Sequence, residues 1–189
     1  MTDKIRCNWC KGDALYEKYH DEEWGVPVYE DHTIFEFLIL ETFQAGLSWI
    51  TILRKRENFR KAFDHFDYKK VAKYDETKIQ ELMLDAGIIR NQLKIRAAVS
   101  NAVAFMEVQK EFGSFSNYIW GFVGHKPKVN SLRGVANVQA TTPISDALSK
   151  DLKKRGFKFV GSTVVYAHMQ ATGMVDDHID DCWKKTVQD

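Results

Sequence analysis

The segment 33–53, TIFEFLILETFQAGLSWITIL, constrains the fold of this chain more than any other. Apolar residues lie on almost every side of a helix drawn through it, which is typical of helices buried in a core. Thr33 and Glu36 have the spacing of a capping box at its start. Ala45-Gly46 interrupts the run, and Ser48 can cap a helix that resumes immediately afterwards. The segment therefore predicts two consecutive, largely buried helices.

Glu41 is the exception within this apolar run. It follows Ile39 and Leu40, and Phe37 and Leu38 lie on its side at helical spacing. A carboxylate in such surroundings costs several kcal/mol unless it is paired, neutralised or used in function. A glutamate at the solvent edge of the helix, or one paired with a distant arginine, would fit the same pattern. Glu41 is also a candidate functional acid, because perturbed carboxyl groups tend to occur at sites.

The composition is that of an ordinary globular protein. At 189 residues the chain suits one domain or two small lobes, and 44% hydrophobic residues suffice for a sizeable core. The net charge of +1 gives no global electrostatic signal for nucleic acid. The N-terminal sequence has no apolar signal region, and no run could span a bilayer without charges, so we expect a cytoplasmic protein without membrane contact. Three cysteines in a reducing compartment favour free thiols or a metal over disulfides.

Helical patterns recur along the rest of the chain, and no alternating strand pattern is present. Helices are expected at 68–74, 76–84, 91–112, 115–123, 145–155 and about 161–172. The apolar side of the longest helix is expected to include Leu93 and Val103. Residues 1–30 are expected to be irregular, and residues 124–144 to form a mobile loop. The prediction is an all-α fold.

Potential metal ligands lie at the two ends of the sequence. Cys7 and Cys10 form a C-x2-C pair, His20 follows, and His178 and Cys182 are spaced to project from one helix face. Thiolate and imidazole together suit Zn²⁺, which structural sites hold with four such ligands. The five candidates compete for four places, and a free thiol or surface histidines would explain individual members. The spacing favours one structural zinc ion that ties the ends of the chain together.

The segment Ser145–Val175 has the pattern of two helices joined by a short turn with a glycine at each end, Gly156 and Gly161. Backbone amides of such a turn and the N-terminus of the following helix can hold a phosphate without reading sequence. Lys158 adds positive charge inside the turn. An ordinary helical hairpin would give the same pattern.

Four segments carry a resemblance to a known family. Tyr19–Pro27, Gln44–Leu53, Asp85–Arg90 and Ser145–Tyr166 resemble, in order, the TAG family of 3-methyladenine DNA glycosylases, in the helix-hairpin-helix glycosylase superfamily. The resemblance extends from Cys7 to Cys182. It implies a single glycosylase unit over residues 1–189, with a helix-hairpin-helix element at about 145–175. It also implies a zinc site that joins the terminal segments 1–30 and 176–189.

The resemblance further implies residue roles. The zinc ligands of the family fall on Cys7, His20, His178 and Cys182, which leaves Cys10 over. The base pocket falls on Glu41 and Tyr19, the hydrogen-bonding and catalytic residues, with Trp9, Tyr16 and Trp49 as aromatic walls. Because the lesion 3-methyladenine is cationic until its glycosidic bond breaks, aromatic faces would attract it by about 0.5–2 kcal/mol per contact. An ionised Glu41 would add a charge-assisted hydrogen bond of about 1.5–3 kcal/mol.

The implied reaction is hydrolysis of the N-glycosidic bond in double-stranded alkylated DNA after base flipping, which leaves an abasic site. Leu47 is a candidate wedge for the gap in the duplex, with ordinary core packing as its alternative. Gly156, Lys158 and Gly161 would contact the DNA backbone. Asp176 and Asp177 are candidates for orienting His178. We expect the protein to act as a monomer.

Two other functions fit part of the pattern. A non-catalytic nucleic-acid-binding module, held together by zinc, would use the hairpin and treat Glu41 as a structural acid. A zinc hydrolase would use His20, His178 and Cys182 as ligands and keep one coordination position open.

Overall fold

The structure, a computed structural model, describes residues 4–132 and 139–186, and these residues are mostly helical. Nine α-helices lie within the described ranges: α1 (Ala14–Glu22), α2 (Asp31–Gln44), α3 (Trp49–Ala62), α4 (Tyr68–Val71), α5 (Glu76–Leu84), α6 (Gln92–Phe112), α7 (Phe115–Gly121), α8 (Pro143–Lys154) and α9 (Ser162–Ala171). Two very short strands, β1 (Lys128–Val129) and β2 (Val175–Asp176), pair in parallel. The predicted helical fold is therefore confirmed, apart from this two-residue pairing. Strands of that length are too short to give a visible alternation in the sequence.

Helix α2 is the centre of the core, as predicted. Every residue from Ile34 to Phe43 is buried, and the helix contacts α3, α6, α7 and α9. The predicted capping box at its start is wrong. Glu30 is the N-cap instead, and its carboxylate accepts hydrogen bonds from the backbone N–H groups of His32 and Thr33. Helix α3 resumes at Trp49 with Ser48 as its N-cap residue, although the Ser48 hydroxyl bonds to a neighbouring side chain and not to the helix backbone.

Glu36 is a second buried acid on α2, and the sequence pattern assigned it to a capping box and not to the core. Its carboxylate lies 2.6 Å from Arg56 Nε and 2.8 Å from the Arg60 guanidinium. Arg56 also contacts the Glu23 carboxylate, at 2.5 Å. These ion pairs tie α2 to α3 and to the residue that follows α1, and they satisfy the charge of Glu36 inside the core.

The N-terminal segment contains a helix, so the prediction that residues 1–30 are irregular is wrong. Helix α1 has no broad apolar stripe. Its N-cap is Asp13, whose side chain accepts a hydrogen bond from the Tyr16 N–H, and its buried residues are Tyr19 and His20. After α1 the chain lies against the end of α9, where Val28 N donates to the carbonyl of Thr172 at 3.0 Å. The helix is thus stabilised by its cap and by tertiary packing, which periodicity does not reveal.

Most other helix boundaries lie within two residues of the prediction. Helix α4 is three residues shorter than predicted, because it stops at Val71. Leu93 and Val103, expected on the apolar side of α6, are 70% and 44% exposed. The predicted loop 124–144 contains β1, and α8 begins two residues earlier than predicted because Thr142 forms a capping box with Ser145. Residues 133–138 of that loop lie outside the described ranges.

Gly173 shows how closely the N-terminal segment approaches the end of α9. Its φ is +69°, and a Cβ atom there would lie 2.4 Å from the backbone nitrogen of Pro27. Only glycine fits both the left-handed backbone and this contact. Within the described part of the chain, no helix is both long enough and apolar enough to cross a membrane.

The buried His168 on α9 should make the folded state less stable at acid pH. It is buried, neither ring nitrogen has a hydrogen-bond partner among the described residues, and burial lowers its pKa from 6.5 to about 4. Above pH 6.5 the ring is neutral in both states. As the pH falls from 6.5 to 4, the unfolded chain takes up the proton first, so the folded state loses roughly 3 kcal/mol.

We expect His168→Leu to flatten this pH dependence. Urea unfolding of wild type and variant at pH 7 and pH 5 measures the effect, with exposed His125→Gln as the control. At pH 5 the wild type should have lost about 2 kcal/mol more than the variant. Equal losses of unfolding free energy in wild type and His168→Leu between pH 7 and pH 5 would contradict this role of the buried imidazole.

Candidate functional site

A cavity of about 220 Å³ opens beside α1, α2 and the start of α3. Residues of the two terminal segments and of α9 complete its wall. The lining residues are Cys7, Asn8, Trp9, Tyr16, Tyr19, Trp24, Glu41, Gln44, Trp49, Ala167, Gln170, Asp177 and Ile179. Since one water molecule occupies about 30 Å³ in the liquid, the space is large enough for a flat organic ring system.

All five residues predicted for the base pocket line this one cavity: Trp9, Tyr16, Tyr19, Glu41 and Trp49. The sequence did not place the other lining residues in the pocket, although Cys7 and Asp177 were predicted for other roles. Gln44 could have been found, because it lies one helical turn after Glu41 on the same helix. Trp24 and Gln170 carried no local signal, since only the packing of the N-terminal segment on α9 brings them here.

Aromatic rings form much of the wall. The ring centroid of Trp9 lies 4.8 Å from that of Tyr16 and 5.0 Å from that of Trp24. Tyr19 and Trp49 are 5.5 Å apart and tilted, and both are buried. Ring faces carry partial negative charge, so a cavity lined in this way favours a flat, positively charged ligand.

Glu41 is the buried acid of the cavity. The residue is 3% exposed, and its Oε2 has no hydrogen-bond partner among the described residues. Burial raises the pKa of Glu41 from 4.5 to about 8. Burial therefore favours the protonated carboxyl in the free protein at pH 7, whereas the carboxylate considered in the sequence analysis belongs to the complex with a cationic base. A cation placed beside it would favour the carboxylate.

Tyr19 lies next to this acid in the cavity wall. It is 2% exposed, and burial raises the pKa of its phenol well above the ordinary value, with the nearby Glu41 contributing in the same direction. The hydroxyl therefore stays protonated at physiological pH and is available as a hydrogen-bond donor.

Asp177 also lines the cavity, but its carboxylate is fully engaged. It accepts hydrogen bonds from the Tyr166 hydroxyl at 2.6 Å, the Asn130 amide at 2.7 Å and the Gln170 amide at 2.8 Å. Asp176 faces elsewhere and lies 2.8 Å from His178 Nδ1. The expectation that both aspartates orient His178 thus holds for Asp176 alone.

Three buried side chains form a cluster that could bind a metal ion. One ligand atom each from Cys7, His20 and Cys182 lies within 4.8 Å of the other two. His20 Nε2 is 3.4 Å from Cys182 Sγ, and the opposite ring nitrogen is 2.8 Å from Asp21. Cys10 lies outside the cluster, and its thiol donates to the carbonyl of Cys7 at 3.1 Å. The ends of the described chain therefore meet at these three residues.

His178, the fourth predicted ligand, is beside the cluster but not part of it. Its ring lies 5.2 Å from the ring of His20, and its Nε2 is buried without a partner among the described residues. Gly25 packs directly on this ring: its φ is +77°, and a Cβ there would lie 2.6 Å from His178 Cε1. The imidazole is thus held between Asp176 and the backbone, with one nitrogen unsatisfied.

The residues predicted to contact DNA lie in two loops. Leu47, between α2 and α3, is 41% exposed, which excludes the alternative that it is an ordinary core residue. Lys158 is exposed in the turn between α8 and α9. Gly156 begins that turn with φ +94°, and Gly161 is the N-cap residue of α9.

The chain is similar to known proteins over nearly its whole length. Residues 9–185 match the sequence profile of the methyladenine glycosylase family. DNA-3-methyladenine glycosylase 1 of Escherichia coli (strain K12) is 49% identical over 94% of this chain and 95% of its own. The Haemophilus influenzae DNA-3-methyladenine glycosylase is also 49% identical, over 96% of this chain and 98% of its own.

Solved structures agree with this similarity. A crystal structure of 3-methyladenine DNA glycosylase I (TAG) matches with a TM-score of 0.94 and 46% identity, covering 96% of this chain and all of that one. The Staphylococcus aureus enzyme, whose structure addresses 3-methyladenine recognition, matches with a TM-score of 0.94 at 36% identity, covering 97% of this chain and 98% of that one. The resemblance found in the sequence is confirmed, and the chain belongs to the methyladenine glycosylase family.

Proposed function

We propose that this protein is a DNA repair enzyme that hydrolyses the N-glycosidic bond of 3-methyladenine in double-stranded alkylated DNA. The observation that carries the proposal is the carboxyl of Glu41, which is buried in an aromatic cavity and whose Oε2 has no hydrogen-bond partner in the described part of the chain. An unpaired acid in a core is costly, so a role in ligand binding accounts for it. Membership of the methyladenine glycosylase family supports the choice of ligand.

The cavity suits a base that has left the DNA stack. A base inside a duplex cannot be reached, so the nucleotide must turn out of the helix and enter the pocket. There it stacks against Trp9, Tyr16 and Trp49, while Tyr19 donates a hydrogen bond. Each good cation–π contact favours the positively charged 3-methyladenine over neutral adenine by about 0.5–2 kcal/mol.

Glu41 adds selectivity through its proton. In the free pocket the carboxyl is mostly neutral at pH 7, because burial raises its pKa to about 8. Entry of a cationic base stabilises the carboxylate, so Glu41 releases its proton and accepts a hydrogen bond from the exocyclic amine. A neutral base provides no charge to drive this release. The acid therefore discriminates by charge as well as by shape.

The chemistry is plain hydrolysis. A cationic base is already a good leaving group, so departure needs less assistance than excision of a normal base. Lys94, the buried lysine of the described chain, donates to the Phe43 and Ala45 carbonyls and does not line the cavity, so no Schiff-base step is assigned to it. The product is free base and an abasic site.

Leu47 fills the gap in the duplex, and the turn with Gly156, Lys158 and Gly161 contacts the phosphate backbone.

We further propose that Cys7, His20, His178 and Cys182 bind one structural Zn²⁺. Two thiols and two imidazoles suit zinc, each histidine has a carboxylate on its other nitrogen, and a metal explains the unsatisfied Nε2 of His178. The ion would cross-link the terminal segments. Four protein ligands leave no open position, which argues against a zinc hydrolase. We infer a single cytoplasmic, monomeric unit over residues 1–189.

Release of free 3-methyladenine from alkylated duplex DNA, measured by chromatography, tests the function. The proposal requires release of this base by wild-type protein without strand cleavage. Tight DNA binding without release would favour the non-catalytic binding module instead.

Binding of free 3-methyladenine tests the pocket separately. Trp9 and Trp49 line the cavity, so we expect the base to quench tryptophan fluorescence at millimolar or lower concentration. The free base no longer has the fixed positive charge of the lesion, so this assay tests recognition of its shape. Adenine at the same concentration serves as the control and should quench less. Equal quenching by the two bases, or none by either, would contradict the proposed recognition.

A further inference from the structure

Two buried polar side chains on α6 hold two separate loops. Near its start, Lys94 is 6% exposed, and its Nζ donates to the carbonyls of Phe43 at 2.9 Å and Ala45 at 2.6 Å. Farther along, the fully buried Asn101 forms hydrogen bonds with both the backbone N–H and the backbone carbonyl of Lys158. Its Oδ1 accepts from Lys158 N–H at 2.8 Å, and its Nδ2 donates to the Lys158 carbonyl at 3.1 Å.

Lys94 restrains the loop that presents Leu47. The carbonyls it binds are among the last of α2, where the helix dipole favours a positive charge. The other hydrogen bonds of the loop are local, such as that from the Leu47 N–H to the Gln44 carbonyl at 2.6 Å. Gly46 is in a left-handed conformation, and Leu47 is 41% exposed. A buried ammonium is costly unless its donors are satisfied, so this contact fixes the end of α2 firmly against α6.

Asn101 restrains the turn between α8 and α9. A second buried side chain, Ser149, donates to the carbonyl of Val160 at 2.6 Å, so the inner backbone groups of this turn are satisfied. Phe159, between the two held residues, has φ +56° and is 39% exposed. A left-handed conformation is strained for a non-glycine residue and persists only where neighbours enforce it.

The outer amides of the turn remain available. Among the described residues, the backbone N–H groups of Phe159 and Gly161 have no acceptor, and no side chain caps the start of α9. Amides held in this way are suited to a phosphodiester. By binding the inner backbone groups of the turn, Asn101 and Ser149 leave the amides of Phe159 and Gly161 on its outer side.

We propose that α6 sets the spacing between the two DNA-contacting loops, with Lys94 and Asn101 as positioning residues. They lie seven residues apart on one helix, which separates them by about 10 Å along its axis on the same side. The Leu47 wedge and the phosphate-binding turn are thereby fixed relative to each other. The inference rests on the proposed function, because it assigns DNA contacts to both loops.

The test compares duplex DNA with free base. Lys94→Met, Asn101→Ala and Ser149→Ala are assayed for affinity to a duplex with a tetrahydrofuran abasic-site analogue, by fluorescence anisotropy. Ser100→Ala is the matched control, because Ser100 neighbours Asn101 but bonds only to the Ala97 carbonyl of its own helix. We expect about a tenfold loss of duplex affinity for Lys94→Met and Asn101→Ala, and a smaller loss for Ser149→Ala.

Free 3-methyladenine should bind all four variants within twofold of wild type, by tryptophan quenching. Joint loss of base and duplex binding would mean a purely structural role and would overturn the inference, as would unchanged duplex affinity. For Lys94→Met the slope of log affinity against log salt should equal that of wild type, because the buried ammonium touches no phosphate. A slope reduced by about one would assign it a direct contact instead. If the wild type binds the duplex but releases no base, the proposed hydrolysis is refuted, and the expected loss of duplex affinity in the variants would still support the spacing role.

Discussion

Glu41→Gln is expected to lower kcat/KM for release of 3-methyladenine from alkylated duplex DNA by about 10- to 100-fold. The amide retains the size of the side chain but cannot become a carboxylate when the cationic base arrives. The lost charge-assisted hydrogen bond is worth about 1.5–3 kcal/mol, and each 1.36 kcal/mol is a factor of ten in rate. Initial rates of base release on methylated DNA measure the effect.

The same substitution should stabilise the free protein at alkaline pH. The folded-state pKa of Glu41 is about 8, against 4.5 without burial. Between these values the unfolded chain loses its proton more readily than the folded one, so the wild type loses stability as the pH rises from 4.5 to 8. The accumulated loss above pH 8 is at most about 5 kcal/mol, and the uncharged amide of the variant avoids it. Urea unfolding at pH 5 and pH 8.5 should reveal a difference that grows with pH.

Glu36→Gln is the matched control on the same helix. Glu36 is also buried, but it pairs with Arg56 and Arg60. Removing its charge leaves the buried Arg56 guanidinium with Glu23 as its remaining carboxylate partner, which should destabilise the protein by about 1.5–3 kcal/mol. The two substitutions are therefore expected to change stability in opposite directions at pH 8.5. Full activity of Glu41→Gln, or identical pH dependence with wild type, would contradict the role assigned to this acid.

The second large effect concerns the metal. Cys182→Ser is expected to lose about one equivalent of bound zinc per chain and to unfold at a much lower temperature. Zinc affinity for sulfur and imidazole ligand sets is of order 10 kcal/mol, comparable with the stability of a whole domain. Metal analysis and thermal unfolding measure the two effects. Because Cys7 both belongs to the cluster and lines the cavity, base binding should decline with the metal.

Cys10→Ala provides the control for this prediction. Cys10 is as buried as the cluster cysteines, but its thiol bonds to a backbone carbonyl and lies outside the metal-ligand group. It should keep its zinc and suffer only the modest cost of a smaller core side chain. Loss of zinc from Cys10→Ala with retention in Cys182→Ser would mean that the ligand set is wrong. Base release that persists in folded, zinc-free protein would exclude a catalytic metal.

The long buried helices could be predicted from the sequence because their patterns are strong. Segment 33–53 is apolar around the whole helix, and α6 has Asn91 as a cap and Gly113 as a stop. The glycines at positions 156 and 161 likewise predicted the bounds of α8 and α9 to within two residues. In each case local chemistry and burial favour the same structure, so the prediction needs no knowledge of the partners.

The cavity could be predicted only in part. Glu41 stood out from its apolar neighbours, whereas Trp9, Tyr16, Tyr19 and Trp49 entered through the family resemblance. Their meeting depends on α1 packing against α3, a tertiary contact that leaves no periodic trace in the sequence. The charge state of Glu41 could not be read either, because its pKa depends on complete burial without a partner. The burial of Glu36 could not be predicted either, because its partners Arg56 and Arg60 come from another helix.

The contrast between Glu36 and Glu41 has a consequence for protein engineering. Both carboxyls are buried on α2, but among the residues that the structure describes only Glu36 forms ion pairs. A thermostability screen, or an algorithm that penalises unpaired interior charge, would single out Glu41 as a flaw to repair. Replacing it would stabilise the folded protein but remove the feature that we propose recognises the damaged base.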